Sequence, residues 1–313
     1  MNLDLSEKQT AWLATLKTYL TSWYRADATA PFDAVLWNGL QEHGYFGTGN
    51  KAAYEALEAV FLTEEVSRLN GMAPVGVQAM ITAPLMADHR HEALAVFRQG
   101  EDVPVRYAGF APLLAVIGED VAKVYRVDPA KSVAVKSNFV YPLATPAAVS
   151  GDVIAILPAD LVTRRWQISI GAEIVGAMEG AIAHLTSHLS SREQFGKALG
   201  AFQAIQHRVS ELAVSLECAR YLVRHAAWHD SNELAATAAT YAATAAHTLC
   251  LDAHQLSGAQ GFTLESGLYR WTLRLQMLSL EAGGVAGHAA GAADLRWRDT
   301  LPLVPNKRSS TTG

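Results

Sequence analysis

Between Ser191 and Asp230, apolar side chains recur at Leu199, Phe202, Ile205, Val209, Leu212, Leu216, Ala219 and Leu222, mostly three or four residues apart. That spacing places them on one face of a helix, and so long an apolar stripe must be covered by other helices. It predicts a helix over 196–228 with a polar entry at its N-terminal end. Helical patterns over 168–189, 231–256 and 265–290 complete a four-helix bundle. The alanines from Ala235 to Ala246 suit close helix approach, and Gly283, Gly287 and Gly291 repeat that device on the last helix. A glycine-rich phosphate loop is a poor reading of those glycines, because no strand precedes them.

The entry Arg192-Glu193-Gln194-Phe195-Gly196-Lys197 is not what a core helix needs. Arg192 carries a planar donor fork that binds phosphate oxygens bidentately, and helix N-termini add backbone donors to such an anion. Gln194, Phe195 and, further along, Gln203 add amides and an aromatic ring. The plainer alternative pairs Arg192 with Glu193 or Glu211 and lets the glutamines cap helices.

Ahead of the bundle the chain changes character twice. Helical patterns cover 3–24, 32–43 (opened by Pro31 and ended by a capping Gly44), 51–70 and 74–98. From about Pro104, short β-branched runs at 103–107, 121–127, 132–136 and 153–157 alternate with Gly, Asp and Pro and predict strands. The expected layout is an N-terminal helical domain over 1–100, a reduced β middle domain over 101–160, a C-terminal four-helix bundle over 161–300 and a polar tail over 301–313. The fold class is therefore mostly α with a small β part.

A 50% hydrophobic and 18% charged composition implies extensive buried surface, part of it between subunits. The net charge of −5 and the lack of a basic run argue against nucleic acid or an anionic membrane as the main partner. Apolar tracts are alanine-rich and interrupted by polar residues, so no membrane span is expected. Cys218 and Cys250 fall inside helical patterns, which predicts core thiols and a reducing, cytoplasmic setting. His89-x-His91-Glu92 lacks a partner histidine for a metal, and no Gly-x-Ser-x-Gly elbow occurs.

The tract from Arg192 to Lys197, with Gln203, Ala219-Arg220 and Ala226-Ala227-Trp228, resembles the third domain of acyl-CoA dehydrogenases. A second tract agrees: Gln255-Leu256-Ser257-Gly258-Ala259-Gln260-Gly261-Phe262, followed by Glu265 and Arg270, resembles that family's Gln-(x)2-Gly-Gly-x-Gly-(Phe/Tyr) segment, with Ala259 in place of the second glycine. Residues 33–44 resemble the end of an N-terminal helix of the family. The resemblance implies FAD as cofactor. It assigns Arg192, Gln194, Phe195, Gln203, Gln255, Gly258, Ala259 and Gly261 to the dinucleotide, reaching across an interface to a flavin seated mainly on a neighbouring subunit.

The same resemblance implies α,β-desaturation of an acyl-CoA thioester, in which a carboxylate removes the α-proton while hydride passes to the flavin. Counting from Gln255, the usual position of that base falls on Ala282, with Glu281 one residue earlier; the family's second position falls on Trp166. Glu281 is the candidate catalytic residue, and its expected contribution is small. The family's Thr-Glu-Pro and Gly-Ser-Asp motifs of the β domain are absent, and Gly47-Thr48-Gly49-Asn50 stands where a Pro-Glu-x-x-Gly-Gly loop is usual. These departures resemble short subunits of heteromeric members, including those acting on steroid side-chain CoA thioesters in lipid metabolism. They imply a full-length paralogue as partner and an electron-transfer flavoprotein or other acceptor. A flavin oxidase or monooxygenase of the same fold, and a cofactor-free scaffold subunit, are the alternatives.

Overall fold

A computed structural model describes residues 5–24, 30–46, 56–146 and 152–298. The Gly47–Asn50 loop and the tail over 301–313 lie outside the described residues. The chain opens with α1 (Glu7–Trp23), α2 (Ala34–Glu42) and α3 (Ala56–Arg68). Ser6 caps α1 in a reciprocal box with Gln9, each residue's side chain accepting from the other's backbone N–H. Asp33 rather than Pro31 sets the start of α2, its carboxylate accepting the Leu36 N–H at 2.8 Å. Gly44, at φ +72°, ends α2 as expected.

The stretch expected to be helical over 74–98 is only half so. Short helical turns α4 (Val75–Val77) and α5 (Ala83–Leu85) flank a π-helical turn at Gln78–Thr82, and the chain then becomes strand β1 (Leu94–Arg98). Strands β2 (Val105–Arg106), β3 (Leu113–Ile117), β4 (Val121–Arg126), β5 (Val133–Val135), β6 (Leu143–Thr145) and β7 (Val153–Pro158) follow. They form one sheet in the order β1-β3-β4-β7 and a second in the order β2-β6-β5. The β1–β3 pair is parallel, with Leu94 opposite Leu113, and the remaining pairs are antiparallel.

The bundle consists of α6 (Ala159–Ser191), α7 (Gln203–His229), α8 (Asn232–Ser257) and a broken fourth rod, α9 (Tyr269–Leu278) with α10 (Gly284–Trp297). Two corrections concern its helices. The helix expected from 196 starts instead at Gln203: the chain leaves α6 at Arg192 and makes a β-hairpin, β8 (Glu193–Gln194) against β9 (Lys197–Ala198). Phe195 and Gly196 form its two-residue turn, both at positive φ (55° and 81°), which no helix tolerates. The last helix, expected whole over 265–290, is interrupted at Ala282 (φ 53°), Gly283 (φ 88°) and Gly284 (φ 64°).

A third correction concerns close packing. Gly291 has open space where a Cβ would stand. The tight approaches are on α6, where a Cβ at Gly176 would lie 2.0 Å from the Glu64 carbonyl oxygen and one at Gly180 would lie 2.5 Å from that of Arg68. These two glycines let α3 lie directly on α6. The alanines of α8 do bury as expected, Ala235, Ala238, Ala242 and Ala246 being fully inaccessible. α6 is long and apolar enough to cross a membrane, but 78% of its apolar window is buried inside the protein, so core packing accounts for its composition.

Candidate functional site

Two places in this fold gather the residues that matter. The first is the outward end of the bundle. α6 and α8 run in the same direction and pack against each other, with α7 antiparallel to both, so the C-terminal ends of α6 and α8 lie at one end of the bundle. Arg208 in the first turns of α7 meets Asp252 near the end of α8 at 3.1 Å, which ties that end together. The Arg192 tract and the Gln255–Phe262 tract therefore lie toward the same end of the bundle.

Within this surface the individual residues are presented to solvent. Arg192, Gln194, Gln203, Gln255, Gly258 and Ala259 are exposed, and Phe195 stands 90% exposed at the hairpin tip. Arg192 has no side-chain partner among the described residues, so pairing with Glu193 or Glu211 does not occur. Its position is not the expected one: Arg192 caps the C-terminus of α6, its N–H bonding to the His188 carbonyl, rather than opening the next helix. Gly258 (φ 61°, ψ −153°) turns the chain out of α8 in a conformation open to glycine, and the buried Gly261 packs on Ser257, where a Cβ would meet the Ser257 Cβ at 2.6 Å. Phe262 and Leu264, 75% and 79% exposed, extend the apolar part of this surface.

The second place is a buried ion-pair cluster between the β strands and the bundle. Arg106 of β2 is enclosed by two carboxylates. Its Nε donates to Glu281 Oε1 at 2.7 Å and its Nη2 to Glu281 Oε2 at 3.0 Å; Nη2 also donates to Glu173 Oε1 at 3.1 Å, and Nη1 donates to Glu173 Oε2. The Tyr141 hydroxyl donates to Glu173 Oε2 at 3.2 Å, and its ring lies 4.5 Å from the guanidinium. Trp166 also hydrogen-bonds to Glu281. Of the two positions where the resemblance placed a base, one is thus filled by the indole of Trp166, and that indole bonds the paired carboxylate of Glu281, the residue before the other.

Burial pushes the Glu281 carboxyl above its ordinary range, and the attraction and hydrogen bonds of Arg106 oppose that rise. Burial also pushes the Tyr141 hydroxyl upward, which keeps it a neutral donor. The carboxylate of Glu281 uses both oxygens on Arg106, and the void lined by Tyr141 and Glu173 has about 10 Å³, room for one water rather than an acyl chain. Such an arrangement positions charge and fastens elements together; it does not present a free base to a substrate.

Arg106, Glu173 and Tyr141 were not singled out from the sequence. A signal existed for Glu173: it is the sole charge in Ile168-Ser169-Ile170-Gly171-Ala172-Glu173-Ile174-Val175-Gly176-Ala177-Met178, and a carboxylate inside an apolar helix requires a cationic partner.

Residues 163–286 match the family model described as "Acyl-CoA dehydrogenase, C-terminal domain". Over those residues the chain belongs to the acyl-CoA dehydrogenase family. A probable acyl-CoA dehydrogenase, YngJ, of Bacillus subtilis is 32% identical over 122 residues, covering 37% of this chain and 32% of that protein. Acyl-CoA dehydrogenase IpdE2 of Mycobacterium tuberculosis is 34% identical over 107 residues, covering 34% of each. The chain thus spans about a third of the length of the curated relatives it matches. Among solved structures, the ChsE4-ChsE5 complex from Mycobacterium tuberculosis superposes with a TM-score of 0.79 at 16% identity, over 96% of this chain and 100% of that one. Butyryl-CoA dehydrogenase from Megasphaera elsdenii gives 0.79 at 16% identity, over 95% and 100%. The chain therefore shares the fold of these structures: helical front, small β part and helical bundle.

A flavin dinucleotide fits the bundle-end surface on structural grounds: an unpaired guanidinium, exposed amides, an exposed aromatic ring and a glycine turn where backbone can approach. The ring end of the cofactor finds no such provision in the buried cluster, where Arg106 and the two glutamates fill the interior.

Proposed function

We propose that this chain is a subunit of a FAD-dependent acyl-CoA dehydrogenase, that it contributes Arg192, Gln194, Phe195, Gln203, Gln255, Gly258, Ala259 and Gly261 to the dinucleotide portion of the cofactor site, and that it lacks the catalytic base. When bound, FAD would supply the hydride-accepting chemistry for α,β-desaturation of an acyl-CoA thioester. The chain's own part is to bind and orient: Arg192 supplies bidentate donors for phosphate, and Phe195 supplies a face for the adenine. The observation that carries the reading is the contrast between the two places. At the bundle end Arg192 is exposed and has no side-chain partner among the described residues, whereas Glu281 is buried and fully engaged by Arg106.

The likeness to the ChsE4-ChsE5 complex and to a structure described as the "Tcur3481-Tcur3483 steroid ACAD G363A variant" supports a full-length paralogue as partner and a steroid side-chain CoA thioester as substrate. The three-part division at about residues 100 and 160 belongs to the same reading, as do a cytoplasmic setting, a role in lipid metabolism and an electron-transfer flavoprotein or comparable acceptor. Alone, the chain is expected to be poorly soluble, or flavin-free and inactive. Co-expressed with the paralogue it should form an even-numbered complex holding fewer flavins than chains. A homo-oligomer with one flavin per chain that oxidises an acyl-CoA unaided would overturn the assignment, and a flavin-binding complex unchanged by loss of Arg192 would point to a scaffold subunit.

A further inference from the structure

The last two turns of α7 carry two histidines, His225 and His229, four residues apart and so neighbours on one face of the helix. Their ring centroids stand 4.5 Å apart, with 64° between the planes. His225 is half-buried and lies nearly parallel to the Tyr221 ring, centroids 5.6 Å apart, while His229 is exposed. Neither imidazole forms a hydrogen bond or an ion pair among the described residues; their contacts are with each other and with Tyr221. Burial, and after it the neighbouring His229, lower the pKa of His225, which favours the neutral ring that ligates metals.

Two imidazoles at this spacing can chelate one ion. A metal bonded to imidazole nitrogen at about 2.0–2.1 Å sets two rings that share it roughly 4.5–5 Å apart, so the observed separation asks for side-chain rotation and no change in the helix. The place suits positive charge, because the C-terminal end of a helix dipole stabilises a cation. Among the described residues no third histidine, cysteine or carboxylate joins the pair into a larger cluster, so water would complete the coordination and the ion would exchange. Nitrogen ligands select late first-row cations over Mg²⁺ and Ca²⁺, which take oxygen. His184 and His188 on α6 have the same spacing, but His184 is engaged elsewhere: its ring lies 5.3 Å from that of Trp271, and it is hydrogen-bonded to the Ser266 backbone.

We propose that His225 and His229 form a two-histidine site on α7 for a late first-row divalent cation. The site is independent of the flavin reading, and its test uses no flavin signal. Calorimetric titration of the untagged full-length chain with Ni²⁺ should show saturable binding, and Mg²⁺ should show none. The titration is made on the co-expressed complex if the chain alone is insoluble, each variant being compared with its parent in the same preparation. His225→Gln and His229→Gln should each weaken the tightest Ni²⁺ site by about tenfold or more, at least the effect of losing an outer-shell partner of a metal ligand. Both should keep the parent's melting temperature in the absence of metal, since neither ring holds another element in place. His188→Gln should leave the tightest site unchanged. Absence of saturable Ni²⁺ binding, Mg²⁺ binding of equal strength, unchanged affinity in both variants, or an equal loss in His188→Gln would each overturn the proposal and reduce the pair to a ring contact. The Ni²⁺–Mg²⁺ comparison on the unmodified protein and the second histidine variant keep the test decisive if one variant does not fold.

Discussion

Arg106 and Glu281 are 175 residues apart in the chain and joined by two hydrogen bonds, Nε to Oε1 at 2.7 Å and Nη2 to Oε2 at 3.0 Å, with both side chains under a tenth exposed. With Glu173 on the other side, one guanidinium holds β2, α6 and the turn between α9 and α10 in a single cluster. The three groups are not equivalent. Two carboxylates share one cation, so loss of the cation is worse than loss of either anion.

That asymmetry sets the first prediction. Arg106→Met should destabilise the fold by about 3–5 kcal/mol, the usual cost of leaving buried charge uncompensated. Glu281→Gln leaves Arg106 paired with Glu173 and should cost no more than about 1–2 kcal/mol. Urea unfolding of the two variants measures both values. The reverse order, or equal losses, would show that the cluster is not organised around Arg106.

The second prediction concerns the same carboxylate in the working complex. A general base contributes on the order of 10² to 10⁴ in rate. Because Glu281 is engaged by Arg106 and Trp166, Glu281→Gln should lower turnover by less than about tenfold, within the effect of a packing change. A loss of several hundred-fold with flavin still bound would make Glu281 catalytic, and the buried pair would then have to open during the reaction.

Much of this architecture was readable from residue patterns, and the exceptions have identifiable causes. The bundle followed from its 3.6-residue period and Gly44 marked its helix end, because both are local signals. The 94–98 strand did not show: Leu94-Ala95-Val96-Phe97 is a continuous apolar run, and a strand buried on both faces cannot be told from a helix by periodicity. The 192–198 hairpin was hidden because Phe195 adopts a positive φ that its residue type does not announce. The bundle-end tracts were legible because each carries its chemistry in one short stretch. The Arg106 cluster was not, since its members come from positions 106, 141, 173 and 281 and meet only through the tertiary fold.

The exposed hairpin gives the third prediction. Arg192 forms no side-chain pair among the described residues, so Arg192→Lys and Arg192→Ala should leave the melting temperature within about 1 °C, as expected for surface positions away from special features. Flavin retention by the complex with its partner should fall in both, because an ammonium does not reproduce the bidentate fork. Equal flavin content in all three proteins after gel filtration would remove Arg192 from the cofactor site.

His288 supplies a pH dependence. It is fully buried on α10, its Nδ1 lies 3.2 Å from Gln167 Nε2, and burial lowers its pKa to about 4. The unfolded chain, with an ordinary imidazole near 6.5, takes up a proton first as pH falls. The native state is therefore fully favoured by this group above about pH 6.5 and loses stability progressively from there down to about pH 4, below which the loss levels off. His288→Leu, of comparable apolar bulk, should flatten this part of the curve of unfolding free energy against pH. An unchanged slope between pH 6.5 and 4 would show that other groups govern it.

The last prediction separates two kinds of glycine that the sequence does not distinguish. Gly176 and Gly291 both lie inside helices, where alanine is intrinsically better by about 1 kcal/mol. At Gly291 a Cβ meets nothing within 4 Å, so Gly291→Ala should stabilise by roughly that amount. At Gly176 the added Cβ would sit 2.0 Å from the Glu64 carbonyl oxygen and 2.9 Å from the Ser67 Cβ, and backbone cannot swing aside as a side chain can. α3 would have to lift away from α6, straining the bond from Ser67 Oγ to the Glu173 carbonyl at 2.6 Å and disturbing the adjoining Arg106 cluster. Gly176→Ala should therefore cost about 1–3 kcal/mol or more, as overpacked cores do. Denaturant midpoints of the two variants should move in opposite directions. If Gly176→Ala is neutral or stabilising, α3 does not rest on the backbone of α6 as described.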